Sequence, residues 1–508
     1  MVAAFMGVVS IFAQGGTTGP LTWNLNGGTL TISGNGDMPD YSNFQSTPWY
    51  LYQSSITSVV IQKGVTKIGS NAFNNCSQLK NVYIEAHTNK LKFSETDEGH
   101  FKNSPVETLY LGRNLEPDSW NRSPFADNLA LQAVTIGNDV TAINNNSFNN
   151  CTGLNSLKLG DELQTIGFNA FKNCSSLSSP LILPPKLKTI GGSAFQDCRE
   201  VLSLTIPKSV TSIGGQAFNN CFKLKNVYIA DHTTENLEFS ETDEGHFKNS
   251  PIETLYLGRN LKPDSWNRSP FAENEALRTV TIGNNVTAIN NNSFNNCTEL
   301  DSLTLGNMLK TIGFNAFKGC SSLAIPLILP QGLQTIGSRA FQDCRKISSV
   351  SFPNSVTSIG SQSFNNCFNL TCIVNFRANP PSVENDCFVG VDIYCTVCVP
   401  IGSINLYNAA VGWIDFKNIN ECASCDDVGI ENYLADQLKI YPNPGQTEIY
   451  IKSDLEIEKV EIYSITGALL RVENNFKETI SVSDLAKGIY LLNVYTDKGL
   501  VNSKFVKE

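Results

Sequence analysis

The chain has 508 residues, too many for one compact core, so several domains or an extended repeat architecture is expected. Its net charge of −10, with Lys and Arg spread singly along the chain, argues against nucleic acid as a partner, because no basic stripe exists to release phosphate counterions. Charged residues make up only 17% while Gly, Asn, Ser and Thr are abundant, which fits an extracellular β-rich protein better than a cytosolic helical enzyme.

Residues 1–13 are apolar for about a dozen positions and end at the small residue Ala13, the pattern of a secretory signal peptide too short to span a membrane. The stretch lacks a basic opening, which points to a start further upstream; a buried N-terminal strand is the alternative. No other stretch reaches 18 apolar residues, so no membrane span is expected. Residues 14–55 give a strand, glycines and a turn through Gly28 to Tyr41, then aromatic bulk at Trp49 and Tyr50. That composition suits a cap over the open end of a stacked array.

From 56 to 375 one frame recurs: V-T-x-I-G-x-x-A-F-x-x-C-x-x-L-x-x-V-x-I. Its Phe falls at 73, 148, 171, 195, 218, 294, 317, 341 and 364, with Cys three residues later at 76, 151, 174, 198, 221, 297, 320, 344 and 367. A period of 23 or 24 means a solenoid, since one unit cannot bury its apolar face without its neighbours. Alternation at Leu157/Leu159 or Leu204/Ile206 marks a short strand. Ala217, Phe218, Cys221 and Leu224 suit one turn of helix or a tight loop, and each buried Phe contributes roughly 1.5–3 kcal/mol. The nine column cysteines read as small buried hydrophobes.

Ile206-Pro-Lys-Ser-Val-Thr-Ser-Ile-Gly-Gly-Gln-Ala-Phe-Asn-Asn-Cys-Phe-Lys-Leu224 resembles the BspA-type (Treponema pallidum type) leucine-rich repeat at nearly every position. The resemblance implies a curved right-handed leucine-rich-repeat solenoid, with a short strand plus a turn or short helix per coil, and a surface protein that binds other proteins or cells. Segment 14–55 is also similar to the opening segment of that family.

The repeats are duplicated, with about 74–218 recurring at 219–364. Each copy contains two longer coils, and insertions in solenoids usually fall on one face, often the binding face. One holds Glu95, Asp97, Glu98 and His100, matched by Glu241, Asp243, Glu244 and His246. Such a set could serve acid/base chemistry or a metal, but the order fits no metal motif, and a solvated loop is the expectation. No cofactor or catalytic residue is assigned. The other insertion carries Trp120 and Arg122, matched by Trp266 and Arg268. These four are the candidate binding surface, because an exposed Trp is a typical anchor, although core packing is the more frequent role for a Trp.

Residues 376–425 form the closing cap, aromatic at Tyr407, Trp413 and Phe416. They contain Cys387, Cys395, Cys398, Cys422 and Cys425, close to Cys372. The two C-x-x-C pairs could form a zinc ribbon, but disulfides stapling a cap suit a secreted chain better. After an acidic linker, 426–438, six or seven short strands in 439–508 predict a small β-sandwich. Its opening Tyr441-Pro-Asn-Pro444, its strand Gly488-Ile-Tyr-Leu-Leu492 and its basic end at Lys504 and Lys507 are similar to the C-terminal sorting domain of the type IX secretion system. That resemblance implies export to the outer surface of a Gram-negative cell and contact with the secretion machinery through 439–508. The expected function is a non-catalytic, adhesin-like surface protein whose partner is a host matrix or cell-surface protein or a surface glycan. A self-associating envelope or biofilm scaffold is the alternative, and an extracellular hydrolase the third.

Overall fold

The structure, a computed structural model, describes residues 14–421 and 438–507 apart from 96–98, 118, 120–122, 179, 241–244, 264, 267, 385, 443–444, 454–455, 465–468, 475, 477 and 497–498. The signal-peptide stretch, Cys422, Cys425, Asp97, Glu98, Glu241, Asp243, Glu244, Trp120 and Arg122 lie outside the described residues. The chain divides into two compact units. One comprises residues up to Leu224 with Glu235–Pro251 and Leu261–Trp266; the other comprises Lys225–Thr234, Ile252–Asn260 and the chain from 267 onward.

In the first unit, an antiparallel hairpin of Gln14–Thr18, Leu21–Asn26 and Thr29–Gly34 opens the fold, and its last strand pairs in parallel with Ser58–Ile61. Parallel pairing then runs through Asn81–Ile84, Thr108–Leu111, Ala133–Ile136 and Ser156–Lys158. The apolar residues of each strand point inward, as Val59 and Ile61 do. A second parallel ladder of two-residue strands joins Ala142–Ile143, Thr165–Ile166, Thr189–Ile190, Ser212–Ile213 and Glu238–Phe239. Just after these strands the coils come into backbone contact. A Cβ on Gly191 would sit 2.5 Å from the Gly167 carbonyl carbon, so only glycine fits there.

The Phe-bearing segment is a tight loop rather than a helical turn. Two residues flanking each Phe take left-handed backbone angles: Asn146 and Asn150 around Phe148, and Asn169 and Asn173 around Phe171. Left-handed geometry breaks a helix, and Asn tolerates it best among residues with a side chain. It also turns alternate N–H groups toward the next coil. Asn146, Phe148 and Asn150 donate to the carbonyls of Phe168, Ala170 and Lys172 at 2.7–2.8 Å. The same asparagines form side-chain ladders, with Asn169 Nδ2 donating to Asn146 Oδ1 at 3.1 Å and Asn173 Nδ2 to Asn150 Oδ1 at 3.2 Å. Asn is the commonest residue at these positions, although Ser193, Gln216 and Arg339 take the same angles in other coils.

The phenyl rings stack in a column longer than the nine recurring positions. In the first unit Trp49 lies on Phe73, followed by Phe101, Phe125, Phe148, Phe171, Phe195, Phe218 and Phe247, with centroid spacings of 5.2–6.2 Å. Phe101, Phe125 and Phe247 come from the long coils, which hide the period but keep the ring. Ser104 takes the cysteine position after Phe101, and its hydroxyl donates to the Phe73 carbonyl at 2.6 Å. The column cysteines do the same: Cys151 Sγ donates to Phe125 O at 3.1 Å and Cys174 Sγ to Phe148 O at 3.2 Å. The cysteine is therefore a coil-to-coil donor as well as a small filler.

Arg113, which sequence reasoning passed over, is fully buried just after the strand Thr108–Leu111. Its guanidinium reaches back to the carbonyls of Gln62, Lys63 and Val65 at 2.9–3.0 Å, and burial lowers its pKa. Arg259 is its duplicate and is likewise buried. Arg113→Leu leaves three carbonyls without their charged donor and is expected to destabilise the first unit by about 1.5–3 kcal/mol. Arg113→Lys, lacking the fork, should recover only part of that in a denaturant titration.

In the second unit Asn226–Ile229, Thr254–Leu257, Thr279–Ile282 and Ser302–Thr304 pair in parallel. So do Leu327–Ile328, Ser349–Phe352, Cys372–Asn375, Thr396–Val399 and Asn418–Glu421. The ladder thus continues beyond 375. The ring column runs from Phe271 through Phe294, Phe317, Phe341 and Phe364 to Phe388. Trp413 closes it, buried at 5.2 Å from Phe388, its indole N–H donating to the Pro381 carbonyl at 3.2 Å. Trp49 in the first unit plays the corresponding part, donating to the Ala72 carbonyl at 2.9 Å. The expectation of disulfides holds at Cys398, which is disulfide-bonded, and not at Cys372, Cys387 and Cys395, which are free thiols. Cys387 is fully buried beside Phe388, a packing position rather than a staple.

Residues 438–507 form two antiparallel sheets, Lys439–Tyr441, Glu448–Lys452 and Thr479–Ser481 in one, and Leu469–Asn474, Ile457–Ser464, Gly488–Thr496 and Gly499–Lys507 in the other. Ile449, Ile462, Leu492 and Phe505 belong to the shared core. Glu461 accepts hydrogen bonds from Lys459 Nζ at 2.9 Å and from the Tyr463 and Tyr495 hydroxyls at 2.8 Å. These donors, Lys459 first, hold its pKa down at about 2 from the usual 4.5. A depressed carboxyl stabilises the fold above its unfolded pKa and loses that contribution as pH falls from about 4.5 through 2. Glu461→Gln should therefore flatten the acid limb of this domain's unfolding profile while leaving neutral-pH folding in place, as read by near-ultraviolet circular dichroism.

Candidate functional site

In the first unit a groove of about 1050 Å³ runs along the two long coils. Ser94, Lys102, Ser123, Asp127, Asn144 and Asn149 line it, with Phe93 and Phe101 among its apolar edges. Hydroxyls, amides, one ammonium and the two carboxylates of Glu116 and Asp127 around aromatic edges suit a polar ligand such as a peptide or a sugar rather than a lipid.

The histidine of the acidic insertion is not solvated. His100 is 5% exposed and packs edge-on against Phe93 at 4.9 Å, and His246 does the same against Phe239 at 4.9 Å. Glu95 Oε1 accepts from the Ser119 backbone N–H at 3.2 Å, linking one long loop to the next. Among the described residues no group of three or more His, Cys, Asp and Glu side chains is arranged to hold a metal.

Of the four residues singled out as a binding surface, Trp266 is on a turn and 61% exposed, so it does not serve core packing. Arg268 belongs to the second unit. Trp120 and Arg122 lie outside the described residues.

A second feature is a row of side chains on the solvent face of the sheet. Tyr83 and Tyr110 occupy the same register on neighbouring strands and stack at 4.6 Å and 10°. Tyr228 and Tyr256 repeat the arrangement in the second unit, again at 4.6 Å and 10°. Sequence reasoning missed both pairs, although N-V-Y-I and T-L-Y-L in successive coils put Tyr at the outward position of each strand.

The repeat region matches the family model described as BspA type leucine rich repeat region (6 copies), over residues 45–117, 118–250, 231–324, 264–394 and 325–428. The last residues, 439–508, match the model for a secretion system C-terminal sorting domain. The chain belongs to the BspA-type leucine-rich-repeat family and is a surface-type repeat protein with a secretion sorting tail.

Similar solved structures include a leucine-rich repeat protein from Bacteroides ovatus, 21% identical over 70% of this chain and 93% of that one, with a TM-score of 0.41. The pneumococcal vaccine antigen PcpA is 16% identical over 81% and 99%, with a TM-score of 0.29. The Treponema pallidum leucine-rich repeat protein is 16% identical over 61% and 90%, with a TM-score of 0.20. No curated protein matches the chain. Among the described residues no helix is long and apolar enough to cross a membrane.

Proposed function

We propose that this is a non-catalytic, adhesin-like protein displayed on the outer surface of a Gram-negative cell, binding a host matrix or cell-surface protein or a surface glycan through its duplicated loops. The observation that carries this reading is Trp266, exposed on a turn whose sequence is duplicated around Trp120. A large apolar side chain held in solvent on a turn is a ready anchor, because a partner that covers it removes its apolar area from water. The polar groove in the first unit supplies the hydrogen-bonding part of such a surface. Export and contact with the secretion machinery follow from the sorting tail, residues 439–508. Two copies of one surface on one chain favour multivalent capture, in which avidity exceeds the affinity of either copy.

The test is binding of the full chain to an array of matrix proteins, mucins and bacterial surface glycans. Saturable capture is expected, weakened roughly tenfold or more by joint Trp120→Ser and Trp266→Ser substitution. No capture, with light scattering showing concentration-dependent assembly instead, would replace this reading with the self-associating scaffold.

A further inference from the structure

The two tyrosine pairs are identical in stacking and differ in exposure. Tyr83 is 43% exposed, whereas its duplicate Tyr228 is 6% exposed and Tyr256 7%. What lies on the second pair is a lysine of the same chain. Lys504, on the last strand of the C-terminal domain, places its ammonium 4.4 Å from the centre of the Tyr256 ring and 3.0 Å from Asp231 Oδ2, and hydrogen-bonds the Tyr256 hydroxyl. Asp231 in turn accepts from that hydroxyl at 2.9 Å and from Asn285 Nδ2 at 3.4 Å. An ammonium between an aromatic face and a carboxylate is held both by the ring quadrupole and by the ion pair.

The first copy preserves this chemistry with different residues. Asp231 corresponds to Ala86, so the carboxylate is lost there; Asn285 corresponds to Asp139, so one is gained. The Tyr110 hydroxyl leans over Gly137, where a Cβ would lie 2.9 Å away, and the charge of Asp139 two residues on reaches the Tyr110 phenol. Two copies that have drifted apart at both positions still place one carboxylate beside the second tyrosine.

From this geometry we infer that each outward tyrosine pair with its carboxylate is a lysine side-chain recognition site, the second filled in cis by Lys504 and the first, Tyr83–Tyr110–Asp139, open to a lysine of a partner protein. The C-terminal domain is then a cover for the second site, and the number of open sites per chain depends on whether Lys504 is in place. The inference rests on the reading of the chain as a binding protein and assigns it a partner class, a protein presenting surface lysines.

The experiment titrates the full chain with a fluorescent Gly-Lys repeat peptide and with the same peptide acetylated at every Nε. The expected results are one binding site per chain, lost on acetylation; roughly tenfold weaker binding for Tyr83→Ala/Tyr110→Ala, and weaker binding for Asp139→Asn; and two sites per chain for Lys504→Ala. Tyr83 is exposed, so circular dichroism should show the double variant folded. Equal binding of the acetylated peptide, an unaffected tyrosine variant, or an unchanged stoichiometry for Lys504→Ala would each overturn the inference. Saturable capture on the partner array with no lysine-peptide binding would overturn this site alone and leave the adhesin reading standing.

Discussion

Phe195→Ala is expected to destabilise the first unit by about 3–5 kcal/mol and to split its unfolding into two transitions. Phe195 is fully buried, with Phe171 at 5.2 Å on one side and Phe218 at 5.6 Å on the other, the rings within 9° and 2° of parallel. Removing the ring leaves a cavity whose walls are two coils held by backbone ladders, so neither wall can collapse inward. In a solenoid the stability is close to a sum of coil terms and nearest-neighbour terms, and this substitution weakens two interfaces at once. Guanidinium titration followed by far-ultraviolet circular dichroism should show an early step for one set of coils and a later step for the other. A loss below about 1 kcal/mol with a single transition would mean that the ladders, not the rings, couple the coils.

The features legible in the sequence were those that repeat along it. Phe and Cys recur at fixed spacing because each coil must meet its neighbour identically, and the tail module was readable because its strands alternate locally. What escaped notice depends on which residues the stack brings side by side. Phe101 and Phe125 complete the ring column, but their coils are longer and break the period. Asn146 and Asn150 were not singled out in the sequence, because the left-handed backbone angles and the side-chain ladder that favour Asn there appear only in the stack. The acidic insertion with His100 looked solvated because its neighbours in sequence are charged, yet the imidazole faces Phe93. Arg113 appeared as one more dispersed charge, and only the coil two before it reveals the three carbonyls it serves. Tyr83 and Tyr110 lie 27 residues apart and touch only because their strands share a register. Of the candidate binding residues, the sequence could propose Trp266, but whether its ring faces core or solvent is decided by the turn that holds it.

The second large effect is alkaline. The column thiols are expected to be inert at neutral pH and to make the fold fail cooperatively above pH 9. Burial raises the Cys76, Cys151 and Cys221 thiols to about 12 from 9.0, and pushes Cys174 and Cys198 well above it, with neighbouring thiols adding to the last two. A folded state that keeps protons which the unfolded chain releases is fully stabilised by them below pH 9 and loses that contribution as pH climbs from 9 towards 12. At pH 10 the loss is about 1.4 kcal/mol per thiol, or roughly 7 kcal/mol for these five, comparable with the whole stability of an ordinary domain. Circular dichroism against pH should therefore show a reversible transition near pH 10. Ellman's reagent should leave the column thiols untouched at pH 8 until denaturant is added. Cys174→Val with Cys198→Val, which keeps apolar volume and removes two ionisable groups, should move the alkaline midpoint upward even though it forfeits two Sγ–H bonds to the Phe148 and Phe171 carbonyls. A flat profile through pH 11, or stoichiometric labelling of the native chain at pH 8, would show that the thiols reach solvent and that the column is looser than its ring spacings require.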